Sequence, residues 1–374
     1  MLTISGYNFG ATQGTGAIYF PNANDGGATE LRTNDSWAIV NWTDTLIQLY
    51  MPSYDSTVVG GTNSFAKPAG TGTFKVYSEN FEFDETDDTL KVHYSIKNNK
   101  TKELVYLAPH ISFNGTYTFH CDTAVANYSG GPMKAVITKA LRDWSCLTGI
   151  DWKMGADTAF TNTVSGIDSV CIIRFSVPSD SMASNAIASA SLIHLNYGTA
   201  GTPLLSLGKE IDIKLNSNFD FFCDTTGLPV PSNKRDLYST ILHELGHGLN
   251  HVIDTDAIMH FQYTGVKNDL ANDQSANDGG DYVMLRSILL SNTQLNNNGS
   301  SRINSITCAT NGIYEIENGE LDLLIYPNPF NNEVNIELNI DELTNLTLNL
   351  YSINGQLIKT RDYGSHSFLW GVNN

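Results

Sequence analysis

Two histidines and a glutamate in the segment HELGH have the residue types and the spacing of a zinc enzyme. His243 and His247 are four residues apart, so on a helix their side chains leave the same face about one turn apart and can share one Zn²⁺. Neutral imidazoles hold this metal without cancelling its charge, which leaves it able to acidify a bound water. Glu244 can take the proton of that water and deliver it to a leaving amine. The motif predicts one catalytic Zn²⁺ and peptide-bond hydrolysis.

The residues after the motif narrow the class of enzyme. Met259 lies twelve residues past His247, in the segment DTDAIMH. This arrangement resembles the metzincins, and their matrixin-like branch in particular, in which H-E-x-x-H-x-x-G-x-x-H leads into a loop and a Met-turn beneath the metal. The resemblance implies a metalloendopeptidase with Glu244 as general base and then acid. It also implies that Met259 forms an apolar floor under the imidazoles.

The third metal ligand departs from the family pattern. The family's third histidine would fall at Ile253, which cannot bind zinc. Two alternatives remain: His251, if the segment after His247 is two residues shorter than usual, and Asp254, one position beyond the expected place. We favour His251, because such sites use three neutral imidazoles and LNHVID resembles the end of the motif in relatives.

His251 can reach the metal only if the helix ends early. In a continuous helix it would lie about 12 Å along the axis from His243 and about 80° around it, too far for both to bind one ion. Gly248 and Asn250 are suitable places for the helix to end.

Two neighbouring features complete the interpretation of this region. Phe261 stands where some metzincins carry a tyrosine that stabilises the oxyanion, so Tyr263 is the substitute that the sequence offers. The segment 268–281 is rich in Asn and Asp but lacks the ligand order of an EF-hand, so Ca²⁺ has no support from a motif. We interpret it as a polar loop that caps the next helix.

A long helix and a series of strands precede the motif. The segment MKAVITKALRDW carries one apolar stripe, which predicts a helix that ends at Gly149. The stripe consists of Met133, Val136, Ile137, Ala140, Leu141 and Trp144. Four strand-like runs follow, and the motif helix then places Leu237, Ile241 and Leu245 on one face.

This order of elements predicts an α+β domain over residues 106–295, with a mixed sheet and two long helices, as the metzincin resemblance also implies. Within it, ASASLIHLNY is expected to be the edge strand that pairs with an extended substrate.

The segment before this domain has the pattern of a small all-β sandwich. Residues 1–79 contain short strand-like runs between turns rich in Gly, Thr and Asn. The segments LTISGYNFG, AIYFPNA and IVNWTDTLIQLYMPS resemble the IPT/TIG immunoglobulin-like domain, which implies an Ig-like sandwich that acts as a spacer or adhesive module. Residues 80–105 are charged and are expected to form a solvated connector.

The segment after it resembles a secretion signal. Residues 296–322 form a linker rich in Asn and Ser, and residues 323–374 alternate apolar and polar side chains, as in a small all-β sandwich. YPNP and LYSINGQLI resemble the C-terminal sorting domain of cargo of the type IX secretion system of Gram-negative bacteria. The resemblance implies the secretion machinery as a partner and a secreted or cell-surface location. Because the segment stops at SHSFLWGVNN, we expect an incomplete copy.

Composition excludes several other classes. Twenty-one basic residues against 39 acidic ones give a net charge of -18, which argues against nucleic acid as a partner. No apolar run is long enough to span a membrane, and no signal peptide is expected in this chain. The five cysteines form no C-x-x-C pair, so a zinc ribbon is not indicated and one or two disulfides are expected at most.

The sequence thus predicts a multidomain, secreted zinc metalloendopeptidase that acts on proteins or peptides. An alternative from another class is a catalytically impaired surface adhesin or binding protein that uses the Ig-like domain. The irregular third ligand is the reason to keep this alternative.

Overall fold

The computed structural model divides the chain into two compact units, Met1–Cys308 and Ala309–Asn374. The described residues are 1–33, 38–52, 68–96, 98–101, 104–107, 109–112, 114–159, 170–180, 182–199, 202–225, 228–249, 251, 257–260, 273–288, 301–306, 322–326, 335–339, 346–351 and 357–363.

The first part of the larger unit consists of two antiparallel sheets around a common core. Its strands are β1 (Leu2–Ser5), β2 (Ala17–Pro21), β3 (Glu30–Thr33), β4 (Ile39–Trp42), β5 (Leu46–Leu49), β6 (Lys75–Tyr77) and β7 (Phe83–Glu85). They form the sheets β1-β5-β4 and β3-β2-β6-β7. Ile18 and Phe20 from one sheet and Ile47 and Leu49 from the other are fully buried in one cluster. The alternation of apolar side chains along the strands therefore builds this core.

The second sheet extends beyond residue 79, the predicted end of this domain. Strand β7 pairs with β6, with Phe83 opposite Tyr77. The predicted connector, 80–105, also contributes buried residues: the Ser95 hydroxyl donates to the carbonyl of Ala69 over 3.1 Å, and Ile96 joins the core of the following domain. Near its end, β8 (Asn98–Thr101) pairs antiparallel with β9 (Leu104–Leu107). The segment is therefore only partly a solvated connector.

The second part of the larger unit packs helices on a mixed sheet. Its elements are β10 (Ile111–Ser112), β11 (Tyr117–Cys121), α1 (Thr123–Ala126), α2 (Met133–Thr148), β12 (Trp152–Met154), β13 (Cys171–Phe175), β14 (Ala188–Thr199), β15 (Thr202–Leu215), β16 (Phe221–Phe222), β17 (Arg235–Asp236), α3 (Leu237–Gly248), α4 (Gln274–Ile288) and β18 (Ser301–Arg302).

The five-stranded sheet has the order β12-β11-β13-β15-β14. The first four strands are parallel to their neighbours, and β14 pairs antiparallel with β15. The mixed sheet and the position of β14 at its edge agree with the sequence-based expectations. Short β16 and β17 form a separate parallel pair that leads directly into α3.

The two long helices form where the sequence predicts them. The whole predicted stripe of α2 is buried, and the helix ends at Gly149, whose φ of 77° is a left-handed C-cap. Asp236 caps the start of helix α3, and its carboxylate accepts hydrogen bonds from the Ser239 N–H and hydroxyl over 2.9 and 2.6 Å. The Trp144 indole N–H donates to the carbonyl of Leu242 over 3.0 Å, which fixes α2 against α3.

Helix α4 and the residues after it differ from the prediction. The helix begins at Gln274, inside the segment 268–281 that was expected to be a capping loop. Ser301 and Arg302, in the predicted linker 296–322, form β18, which pairs with β10. The Ile306 N–H also donates to the carbonyl of Gly149 over 2.7 Å. Residues 301–306 therefore belong to the larger unit.

The smaller unit contains two antiparallel strand pairs. They are β19 (Asp322–Tyr326) with β20 (Asn335–Asn339), and β21 (Leu346–Tyr351) with β22 (Leu357–Tyr363).

Cys146 in α2 is disulfide-bonded, whereas Cys121, Cys171 and Cys223 form no disulfide. Within the described ranges, no helix is long and apolar enough to cross a membrane.

Candidate metal centre

Helix α3 presents the two motif histidines at its only accessible positions. Ten of its twelve residues are buried, and the two that are not are His243 and His247. Their ring centroids are 4.7 Å apart and the ring planes are perpendicular. The apolar residues of α3 thus fix the helix in the core, and the imidazole pair lies on the side that remains open.

Main-chain carbonyl groups orient both imidazoles. Nδ1 of His243 lies 2.6 Å from the carbonyl oxygen of Ile258, and Nδ1 of His247 lies 2.8 Å from that of His251. A carbonyl only accepts, so the ring proton is on Nδ1 and the lone pair is on Nε2 in both residues. This is the arrangement that metal-binding histidines show, in which a second group fixes the tautomer and the ring.

The surroundings also keep His243 neutral. Desolvation by the protein, and then the neighbouring His247, lower the pKa of His243 to about 3. His260, next to Met259, acts on His243 in the same direction. A neutral imidazole is the form that binds a metal ion.

Glu244 lies on the inner side of the helix, between α3 and the edge strand β14. The side chain is buried, and its carboxylate accepts a hydrogen bond from the main-chain N–H of Ala190. Its Oε2 has no hydrogen-bond partner among the described residues. Burial raises the pKa of this carboxyl to about 8, and a nearby cation would lower it again. The group is therefore suited to exchanging a proton near neutral pH.

Met259 lies against the histidine helix at Gly246. It ends a 3₁₀ turn, Ala257–Met259, and only 4% of its surface is exposed. A Cβ atom at Gly246 would lie 2.4 Å from the Met259 sulfur. The glycine of HELGH therefore allows the turn to approach the helix closely, and the same turn supplies the carbonyl that orients His243.

Asp273 joins this turn to α4, a role that the sequence reasoning missed. One carboxylate oxygen accepts from the Ile258 N–H over 2.8 Å, and the other accepts from the Ala276 N–H over 3.0 Å. The second bond is that of a helix N-cap. The Asn- and Asp-rich segment 268–281 was the available signal, but the early start of α4 hid which of its residues caps the helix.

His251 lies in the core, against α2 and α4. Its ring centroid is 5.8 Å from that of Trp144, and a Cβ atom at Gly279 would lie 2.2 Å from its Cε1. The ring hydrogen-bonds to the main chain of Ala276, while its buried Nε2 has no partner within the described part of the chain. Burial lowers the pKa of His251 to about 4.

The structure therefore brings together His243, His247 and Glu244 but does not group His251 with them. No set of three or more His, Cys, Asp or Glu side chains with metal-holding geometry occurs among the residues that the structure describes. The alternative ligand Asp254 and the predicted oxyanion helper Tyr263 lie outside the described residues.

Comparison with known proteins identifies one part of the chain. Residues 324–368 match the secretion system C-terminal sorting domain. The predicted sorting domain is therefore confirmed, and the chain is a secreted or cell-surface protein that carries a type IX sorting signal. No curated protein matches the chain.

Proposed function

We propose that this chain is a secreted zinc-dependent metalloendopeptidase of a Gram-negative bacterium. The observation that carries the proposal is the orientation of His243 and His247 by two main-chain carbonyls. It presents two Nε2 lone pairs one helical turn apart, beside the buried carboxylate of Glu244.

Two of the expected ligands fit Zn²⁺: His243 and His247 would hold it through Nε2. The sequence favours His251 as the third ligand. Its ring packs against Trp144 in this structure, so it would have to move to join the pair. Asp254 stays the alternative. When bound, Zn²⁺ would acidify a water and polarise the scissile carbonyl.

Glu244 would move the proton in this reaction. The Ala190 N–H holds its carboxylate, and Oε2, without a partner in the described residues, is the atom at which the proton would arrive and from which it would return to the leaving amine. Strand β14 lies at the edge of the sheet next to this carboxylate, so an extended peptide could pair with it and pass the site.

Glu244→Gln tests the proposal in the full chain. The amide keeps the shape of the side chain but cannot act as a base, so we expect zinc content to be unchanged and hydrolysis of an unfolded protein to fall by roughly a hundredfold or more. His120→Gln is a matched control, since His120 lies outside the site and bonds to the carbonyl of Ala156.

Two results would contradict the proposal that the chain is a peptidase. One is a wild-type chain that binds no stoichiometric zinc. The other is a zinc-loaded wild type that leaves unfolded protein intact, which would favour the impaired binding protein.

A further inference from the structure

The hairpin of β6 and β7, residues 75–85, exposes two phenylalanines on a protein surface. Phe83 is 56% exposed and Phe81 is 71% exposed. Tyr77 stacks on one side of Phe83, with ring centroids 4.8 Å apart. Phe81 has a φ of 62°, a left-handed conformation that a bulky residue seldom adopts. The fold thus accepts backbone strain at the tip of the hairpin while leaving an aromatic ring in water.

The strand that carries Phe83 is an edge. In the described part of the chain, β7 is the last strand of its sheet and pairs only with β6. The Ser78 N–H donates to the Glu82 carbonyl, and the Thr86 N–H donates to the Phe74 carbonyl. Because bonding alternates along an antiparallel pair, the main-chain groups of Phe83 point away from β6.

Carboxylates flank both rings in the sequence of the hairpin. Glu79, Glu82, Asp84 and Glu85 lie within the hairpin and are exposed. The ammonium of Lys75 lies 5.9 Å from the centroid of Phe83 and bonds to Glu30 over 2.7 Å. The chain's own lysine thus shows that this ring can receive a cation while a carboxylate neutralises it.

We infer that this hairpin is a docking site for an extended, basic segment of another protein. Lysine or arginine side chains would pair with the carboxylates and lie over Phe81 and Phe83, and the main chain would lie along the open edge of β7. A second copy of this chain is a poor occupant, because two acidic hairpins on proteins of net charge -18 repel each other. An anionic partner is repelled for the same reason. The inference does not depend on the peptidase proposal.

The test titrates the full chain with a labelled peptide of alternating Lys and Val, and with its Glu-for-Lys counterpart. We expect the basic peptide alone to bind. The double variant Phe81→Ser with Phe83→Ser removes both rings without changing the charge, so affinity should fall by about tenfold. Tyr7→Ser is the matched control, because Tyr7 is 83% exposed and lies outside the hairpin.

Two further double variants distinguish binding to the hairpin from attraction to the overall negative charge of the chain. Glu82→Gln with Asp84→Asn should weaken binding, whereas Asp87→Asn with Asp88→Asn removes the same two charges at exposed positions outside β7 and should change it less. Both double variants should keep the wild-type circular dichroism spectrum, since all four side chains are exposed.

Several results would overturn the inference. The peptide would respond only to net charge if the two charge-removing double variants weakened binding equally. The same would follow if Phe81→Ser with Phe83→Ser left binding unchanged. Retention of the chain on insoluble cellulose or chitin, without peptide binding, would assign the hairpin to a glycan. Dimers in sedimentation velocity that disappear without the rings would assign it to self-association.

Discussion

At the scale of single residues, the proposed metal binding depends on which ring nitrogen of each histidine carries the proton. The carbonyls of Ile258 and His251 fix Nδ1–H on His243 and His247. The sequence predicted the histidine pair, because i and i+4 positions share a helix face. It could not predict these carbonyls, since they come from the path of the chain after α3.

The identity of the third ligand is a prediction at this scale. We expect His251→Ala to lose stoichiometric zinc, because it removes the buried Nε2 that lacks a partner in the described residues. Asp254→Ala should retain the metal. Metal analysis of the purified proteins checks this without any activity assay. The reverse pattern would assign Asp254, and retention of zinc by both variants would place the third ligand elsewhere.

The contact between Gly246 and Met259 gives a second prediction. Gly246→Ala should destabilise the larger unit by about 1–3 kcal/mol, although alanine favours a helix, because its Cβ would lie 2.4 Å from the methionine sulfur. Met259→Ala in the same chain should recover part of the loss that Gly246→Ala causes. Urea denaturation of the two single variants and the double variant measures the coupling. Strictly additive effects would show that the contact is not the cause.

At the scale of elements, the predictions succeeded where a local pattern decides the structure. The stripe of α2, the buried face of α3 and the edge position of β14 all follow from periodicity. Helix α4 starts earlier than predicted, after the Asp273 cap. Gly279 and Gly280 lie inside it and allow close approach of His251 and Trp144. Tertiary packing there outweighs the low helix propensity of glycine.

His110 connects α4, β11 and β15 and makes stability depend on pH. Its main-chain N–H donates to the Ser287 hydroxyl of α4 over 2.8 Å, and its ring bonds to the hydroxyl of Tyr117 in β11, which donates to the Gly208 carbonyl of β15. Burial lowers the pKa of His110 from 6.5 to about 3.

The unfolded chain therefore binds a proton at His110 at pH values where the folded chain does not. Stability from this residue is complete above about pH 6.5 and is lost as the pH falls towards about 3. We expect His110→Gln to flatten the fall of the unfolding free energy over this range, by an amount on the order of a few kcal/mol. Urea denaturation at several pH values measures it, with His120→Gln as the control. An unchanged slope would contradict the assignment.

At the scale of the whole molecule, the chain combines a site-bearing unit with an export signal. Residues 1–308 form a compact unit of their own, and the sorting-domain match lies entirely outside it. The motifs YPNP and LYSINGQLI predicted the sorting domain. The pairing of β18 with β10 was not predictable, because it joins segments far apart in the sequence.

Truncation after residue 308 should separate zinc binding from export. We expect the shortened chain to bind zinc like the full chain but to remain inside the cells of a bacterium with a type IX system, because it lacks the sorting domain. Immunoblots of culture medium, cell surface and cell contents would measure this. Export of the truncated chain at the full-length rate would mean that the signal lies elsewhere.

The hydrogen bond between Glu244 and the Ala190 N–H has a consequence for solubility. A free edge strand is a template on which other chains can add and aggregate. The carboxylate accepts from one main-chain donor of β14, that of Ala190. The side chain proposed to move a proton thus also occupies one donor that an added strand could otherwise use. The proposed proton transfer and the protection of β14 thus both depend on the Glu244 carboxylate. A variant that removes this side chain can therefore increase aggregation as well as abolish hydrolysis.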